Sequence, residues 1–104
     1  MTSTAEILKA ARKLIEKPEN WTKGAFARSA CKGRVRPKYK GAICFCSIGA
    51  LQRVSEGSYG DAIGFLKREL PEGFHGIMEF NDKSTHSEVL DLFSKAIAAA
   101  EASS

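Results

Sequence analysis

The apolar run AICFCSIGALQRV, residues 42–54, constrains the fold of this chain more than any other stretch. It is apolar at nearly every one of its first ten positions. A helix that is apolar on all sides is enclosed by the rest of its domain. The run therefore predicts a central, buried helix over residues 43–55 that ends at Gly57. Gly49, which is unfavourable inside a helix, indicates that a neighbouring helix crosses closely at this point.

Three further segments have the hydrophobic spacing of amphipathic helices. The first covers residues 4–16, begins after Ser3 with a glutamate at capping distance, and ends before Pro18. A second covers about residues 58–70 and is ended by the proline that follows. A third begins at Thr85, again with a glutamate three residues later, and continues close to the end of the chain.

Two segments give weaker signals. TKGAFARSACKG, residues 22–33, predicts a shorter helix whose apolar side chains share one face and which ends at Gly33. GIMEF, residues 76–80, fits either a short strand or one helical turn. Because isolated strands are not stable, we predict an all-α fold. It is a compact bundle of about five helices in a single domain, residues 1–104, with one short extended segment near residues 76–80 as the alternative to a turn.

Composition places the chain among globular proteins, with 43% apolar and 27% charged residues. No run approaches the roughly 18 apolar residues that span a bilayer, so we expect no membrane association. The first 17 residues lack the uninterrupted apolar core of a secretory signal. Three cysteines, an odd number, fit a reducing compartment better than a disulfide framework. These features predict a cytoplasmic protein.

A basic segment, KGRVRPKYK at residues 32–40, contains five cationic side chains and no acidic one. Such a segment binds phosphates or an acidic protein surface, or it is a solvated loop. Its irregular, proline-containing sequence does not resemble a DNA-recognition helix. The candidate binding residues in this segment are Lys32, Arg34, Arg36, Lys38 and Lys40.

Further candidate binding residues are the single tryptophan and a polar turn. Trp21 either fills the core between two helices or stacks on a ligand. Asn81, Asp82 and Thr85 either cap the last helix or line a polar pocket at its N-terminus. The carboxylate of Asp82 already satisfies the positive helix end, which favours the structural alternative.

Metal binding is not expected. Two cysteines in a C-x-C arrangement on a helix, as predicted for Cys44 and Cys46, point about 200° apart and cannot chelate one ion. His75 and His86 are eleven residues apart across a predicted break. The common phosphate, dinucleotide, zinc-protease and serine-hydrolase motifs do not occur, so we also expect no cofactor.

Nucleophilic catalysis is the main alternative to a binding role. Cys46 is predicted near a helix N-terminus, where a thiol becomes more nucleophilic. His86 is a candidate general base, and Asn81 or Asp82 is a candidate for orienting its imidazole. Free cysteines are nevertheless among the most buried residues, so a core role for Cys46 is the favoured interpretation.

Taken together, these landmarks resemble a family of small uncharacterised bacterial and phage proteins, a domain of unknown function. The recurrent pattern is Trp-x-x-Gly, Cys-x-x-Gly-Ala-Leu, Asn-Asp and Thr-x-x-x-Val on a last helix. The resemblance singles out Cys46 and the Asn-Asp pair for testing, and implies no particular activity. The matching positions are Trp21, Gly24, Cys46, Gly49, Ala50, Leu51, Asn81, Asp82, Thr85 and Val89.

We therefore predict a small non-enzymatic binding protein that engages a protein partner or a small anionic ligand through the basic segment. The resemblance suggests an accessory role in a phage or mobile element, for example against a host system. One alternative is a hydrolase or transferase that depends on Cys46. Another is non-specific nucleic-acid binding through residues 32–40, ranked lower because the net charge of +4 is small. The sequence leaves the oligomeric state open.

Overall fold

A computed structural model describes residues 3–103. It contains five helices and three short strands, so the fold is α+β and the all-α prediction is wrong. A single 3₁₀ turn, Pro18–Asn20, follows the first helix. In chain order the elements are α1 (Thr4–Leu14), β1 (Ala27–Ser29), β2 (Arg34–Val35), β3 (Ala42–Phe45), α2 (Ser47–Val54), α3 (Gly60–Arg68), α4 (Ile77–Lys83) and α5 (His86–Ala102).

The apolar run 42–54 is not one helix, because it changes from strand to helix at Cys46. That residue has an extended backbone, with φ −81° and ψ 179°, and forms the N-cap of α2. The preceding residues of β3 pair with β1. An apolar stretch has the same composition in a buried strand and in a buried helix, so periodicity alone did not separate the two.

The three strands form one antiparallel sheet in the order β2–β1–β3. Ala27 in β1 lies opposite both Val35 and Phe45, and this row faces the core. Because side chains alternate along a strand, the neighbouring row of Arg28, Arg34 and Cys44 lies on the other face. A register shift between Arg28 and Ser29 marks a bulge in the pairing with β3.

The helix predicted within residues 22–33 is wrong, since this segment supplies β1 and a tight turn. The turn brings the chain back into β2, with the Lys32 amide donating to the Ser29 carbonyl at 2.9 Å. Lys32 adopts the left-handed conformation at φ 66°. Gly33 therefore closes a hairpin turn rather than a helix. The rule that isolated strands are unstable did not apply, because three short strands support one another.

The helix predictions near both ends of the chain and for residues 58–70 are confirmed. Ser3 caps α1 by accepting the Glu6 amide at 3.2 Å. Thr85 caps α5 with a complete capping box. The extended alternative for residues 76–80 is wrong, because α4 covers this segment.

The core lies where α1 packs against α5 and α2, and α3 packs against both α5 and α1. The sheet covers one side of this helical layer through its buried row. At the corner between sheet and helices, the loop after the 3₁₀ turn meets the end of α4, and this corner holds the Trp-x-x-Gly and Asn-Asp motifs described above. The largest fully buried side chains include Phe45, Phe93, Leu8, Ile15, Leu51 and Leu66.

Gly49 does mark a close approach, but its neighbour is a strand and not a helix. A Cβ added at Gly49 would lie 1.8 Å from the carbonyl oxygen of Phe26. The same carbonyl accepts the Cys46 amide at 3.1 Å, and this hydrogen bond fixes the Phe26 backbone against the start of α2. No side chain fits between α2 and the start of β1.

We expect Gly49→Ala to lower the free energy of unfolding by about 3 kcal/mol or more, because α2 and β1 must separate to admit the methyl group. Gly64→Ala in α3 is the matched control, since a Cβ there meets no atom within 4 Å. Ala in that helix should stabilise by about 0.5–1 kcal/mol. Urea unfolding followed by the fluorescence of the single tryptophan measures both, and equal effects would contradict this account.

Candidate functional site

Asn81 is the most highly connected side chain at the corner between sheet and helices. It is 0% exposed. Its Oδ1 accepts from Trp21 Nε1 at 2.9 Å, from the Ser47 amide at 2.9 Å and from Ser47 Oγ at 2.7 Å. Its Nδ2 donates to the Thr22 carbonyl at 3.0 Å and to Asp82 Oδ1 at 3.2 Å. The amide group is thus fully satisfied by partners from three separate parts of the chain.

Asp82 extends this network toward the surface. Its Oδ1 also accepts the Gly24 amide at 3.1 Å. Gly24 has φ +77°, a left-handed conformation that glycine adopts without strain. The Trp-x-x-Gly motif therefore supplies two donors, the Trp21 indole and the Gly24 amide. The Asn-Asp motif supplies the two acceptors, Asn81 Oδ1 and Asp82 Oδ1. This pairing fastens the loop before β1 to the end of α4.

Cys46 is a buried capping residue. Its Sγ accepts the Gly49 amide at 3.2 Å, and its S–H donates to Met78 Sδ at 3.6 Å. Burial raises the pKa of the Cys46 thiol above its ordinary value, and the nearby Asp82 charge raises it further, against the lowering effect of the Gly49 and Ile48 amides. The Cys-x-x-Gly spacing has a structural basis here: the thiol caps the amide of the glycine that the close approach to β1 requires.

His86 makes its contacts away from Cys46. Its Nε2 lies 2.6 Å from the Ile15 carbonyl and therefore donates to it. Its ring packs against the Trp21 indole, with centroids 5.5 Å apart. Among the hydrogen bonds of residues 3–103, none joins His86 to Cys46 or to Asn81. The arrangement connects the end of α1 to the start of α5, while Thr85 Oγ1 accepts the Glu88 amide as the cap.

The basic segment contains β2 and continues as an exposed loop that is held against α2. Arg53 in α2 donates through Nη1 to the carbonyls of Pro37 at 3.1 Å and Tyr39 at 2.9 Å. Lys38 Nζ donates to the Ser55 carbonyl at 2.7 Å. Two cations thus hold the loop against the end of α2. In the part of the chain that the structure describes, Arg34, Arg36 and Lys40 form no ion pair.

Two open cavities flank this loop. One, of about 420 Å³, lies between residues 36–38 and residues 52–59 and includes Tyr59. The other, of about 460 Å³, is lined by Val35, Arg36, Lys38 and Tyr39. Arg36 and Lys38 border both cavities, which are together called the basic groove below. The wall of the first cavity also includes one acidic residue, Glu56.

The distribution of charge is the feature that sequence reasoning missed. Residues 20–55 contain eight Lys and Arg and no Asp or Glu, a net charge of +8. The rest of the chain contains eight basic and twelve acidic residues, a net charge of −4. The overall +4 conceals this division, which follows the fold. The basic region, residues 20–55, forms the sheet and α2, whereas most of the remaining chain forms the other helices.

Comparison with known proteins identifies the family. A model of the family of unknown function DUF6197 matches residues 1–99. The chain belongs to this family. No curated protein and no solved structure matches the chain significantly. The predicted membership of a domain of unknown function is therefore confirmed, while the motif pattern and a bacterial or phage origin stay predictions.

The structure gives this DUF6197 chain two separate groups of predicted site residues. It brings together Trp21, Asn81 and Asp82 in one hydrogen-bond network, with Thr85 at the start of the next helix. The basic segment lies with the sheet and α2. Across residues 3–103, no three His, Cys, Asp or Glu side chains are grouped to hold a metal ion. No helix of the described chain is long and apolar enough to cross a membrane.

We expect Asn81→Ala to lower the free energy of unfolding by about 3 kcal/mol or more, because it leaves several buried donors without an acceptor. Asp82→Ala, which removes two hydrogen bonds at an exposed residue, should lower it by about 1 kcal/mol. Urea unfolding monitored by circular dichroism gives both values. A loss from Asp82→Ala as large as that from Asn81→Ala would refute a central role for Asn81.

We expect iodoacetamide to label Cys31, which is exposed, in the folded protein and to label Cys46 only after unfolding. The raised folded pKa of the Cys46 thiol also predicts a pH effect. Above the ordinary thiol pKa the unfolded chain releases this proton while the folded chain retains it, so stability falls as pH rises. Mass spectrometry of labelled peptides from pH 5 to 9 measures the thiol reactivity, and urea unfolding over the same pH range measures the stability. Labelling of native Cys46 with a midpoint below about 8.5 would contradict it.

Proposed function

We propose that this DUF6197 protein is a non-enzymatic binding protein that engages an anionic partner through the basic segment, residues 32–40. The observation that carries the proposal is the shaped basic groove. Lys38 in the groove and Arg53 beside the loop donate to backbone carbonyls, and among the described residues no cation of the basic segment forms an ion pair. Cations without carboxylate partners attract an anion at long range and bind it without first breaking internal ion pairs.

The contacts of Cys46 support binding over catalysis. A catalytic thiol is partly exposed and has a lowered pKa. The Cys46 thiol is buried, caps α2, and has a raised pKa. Cys46 thus has a structural role as the cap of α2, and Asn81 has a structural role at the centre of the hydrogen-bond network. A Cys-dependent hydrolase or transferase thus has no observation in its favour, and we propose the anion-binding function alone.

Two finer expectations belong to the same proposal. An accessory role in a phage or mobile element is a prediction from the family resemblance. A cytoplasmic location is a prediction from the odd cysteine count. Both are compatible with an anion-binding protein, and neither is needed for the binding mechanism.

We expect the protein to bind heparin, used as a generic polyanion, with an affinity that falls steeply between 50 and 200 mM salt. Arg34→Gln with Arg36→Gln should weaken binding about tenfold at low salt. The control, Lys13→Gln with Lys67→Gln, removes the same charge from exposed positions on α1 and α3 and should have less than about a twofold effect. Fluorescence titration measures both.

Salt-independent binding, or an equal effect of the two double variants, would refute the assignment to the basic segment. Absence of binding to any polyanion would refute the proposed function itself. Thermal unfolding midpoints of the variants establish that each is folded during the titration.

A further inference from the structure

The large exposed apolar side chains of this protein lie within the basic region. In residues 3–103 they are Phe26, Tyr39 and Ile43, which are 45%, 54% and 47% exposed. Phe26 directly precedes β1, Tyr39 belongs to the basic segment, and Ile43 lies in β3. Single exposed apolar residues are ordinary, but these three adjoin cations and one another's strands. Phe26 and Ile43 lie at the paired strands β1 and β3, and the Tyr39 amide donates to the Arg36 carbonyl at 3.0 Å.

The cations of this surface divide into two groups with different tasks. Arg28 is fixed by donating to Thr22 Oγ1, the Lys23 carbonyl and the Lys32 carbonyl. It lies beside Arg34 across the sheet, on the face opposite the core. Arg34, Arg36 and Lys40 are exposed, and in the described chain they have no acidic partner. These three extend from the sheet edge along the loop and are able to contact successive anionic groups.

We propose that the basic region binds single-stranded nucleic acid, with phosphates on Arg34, Arg36 and Lys40 and bases stacked on Phe26 and Tyr39. This inference rests on the proposed anion-binding function and names the ligand. A strand of nucleic acid combines repeated negative charge with flat apolar faces. Proteins bind it without sequence preference by the same combination, a positive surface with exposed aromatic rings.

The structure favours this ligand over an acidic protein segment. A run of carboxylates satisfies the cations but offers no flat face to the rings of Phe26 and Tyr39. It also favours a single strand over a duplex, in which the bases are stacked on each other and not on a protein ring. A duplex-reading helix is not available in this region. Arg53, the one basic residue of α2, is already committed to the Pro37 and Tyr39 carbonyls.

The experiment measures the affinity of a fluorescein-labelled 12-nucleotide oligouridylate by anisotropy at 50 and 200 mM salt. Competition with a DNA duplex of the same length, with heparin and with polyglutamate compares the ligand classes. We expect the oligouridylate to bind more tightly than the duplex or polyglutamate. Phe26→Leu and Tyr39→Leu should each weaken its binding about five- to 100-fold, the range measured for loss of one stacking ring.

Two variants make this result specific. Phe65→Leu removes a ring from α3, outside the basic region, and should leave the affinity unchanged. Phe26→Tyr keeps the ring and should restore binding that Phe26→Leu loses. Because Phe26 is only half exposed, thermal unfolding is measured for each variant, and Tyr39→Leu provides an independent test at the more exposed position.

The outcomes separate this inference from the function on which it rests. Oligouridylate binding that depends on both salt and the two rings supports the inference. Equal binding of oligouridylate, heparin and polyglutamate, with no effect of either ring, overturns the nucleic-acid inference but leaves the anion-binding function in place. Tighter binding of polyglutamate assigns the surface to an acidic protein partner and also overturns it. If no polyanion binds, both proposals fail.

Discussion

The buried amide of Asn81 is the interaction on which the rest of the structure depends. It joins the loop before β1, the first residue of α2 and the end of α4, segments that are far apart in sequence. Its Oδ1 satisfies the buried Ser47 amide and hydroxyl, which would otherwise have no partner, so the geometry of one part constrains the others. The sheet is thereby held against the helices at the corner around Asn81. The packing of α1 against α5 supplies much of the apolar core.

This network gives the residues of the Trp-x-x-Gly, Cys-x-x-Gly and Asn-Asp motifs of this chain structural roles that need no substrate. Trp21 and Gly24 donate to the Asn-Asp pair, and Cys46 caps the helix whose Gly49 touches β1. A cysteine and a histidine in one small domain suggest a nucleophile and a general base. The role of each follows from the groups that it contacts in the folded protein. Here the thiol is buried as a cap, and the imidazole connects two helices.

With the corner assigned to structure, the function that we propose rests on the basic region. The charge of residues 20–55 is concentrated on the sheet and α2, and the opposite charge lies in the remainder of the chain. Such a division orients an approaching anion toward one side of the molecule. Arg53 and Lys38 hold the basic segment against α2, and a segment held in this way loses less entropy in the binding that we propose. The exposed Phe26 and Tyr39 rings of the same region are the basis for proposing a ligand that has both charge and flat faces.

The sequence by itself determined α1, α3 and α5, because their apolar spacing and capping residues are local signals. It also identified the basic segment and, within the Asn81 network, Trp21, Asn81 and Asp82 as candidates, but not Thr22 or Ser47. It did not determine the sheet, since β1 and β2 are too short for a periodic signal and β3 is continuous with an apolar helix. Only the tertiary structure decided that Cys46 ends a strand and that Asn81 satisfies Trp21 and Ser47, because those partners are brought together by folding and not by spacing.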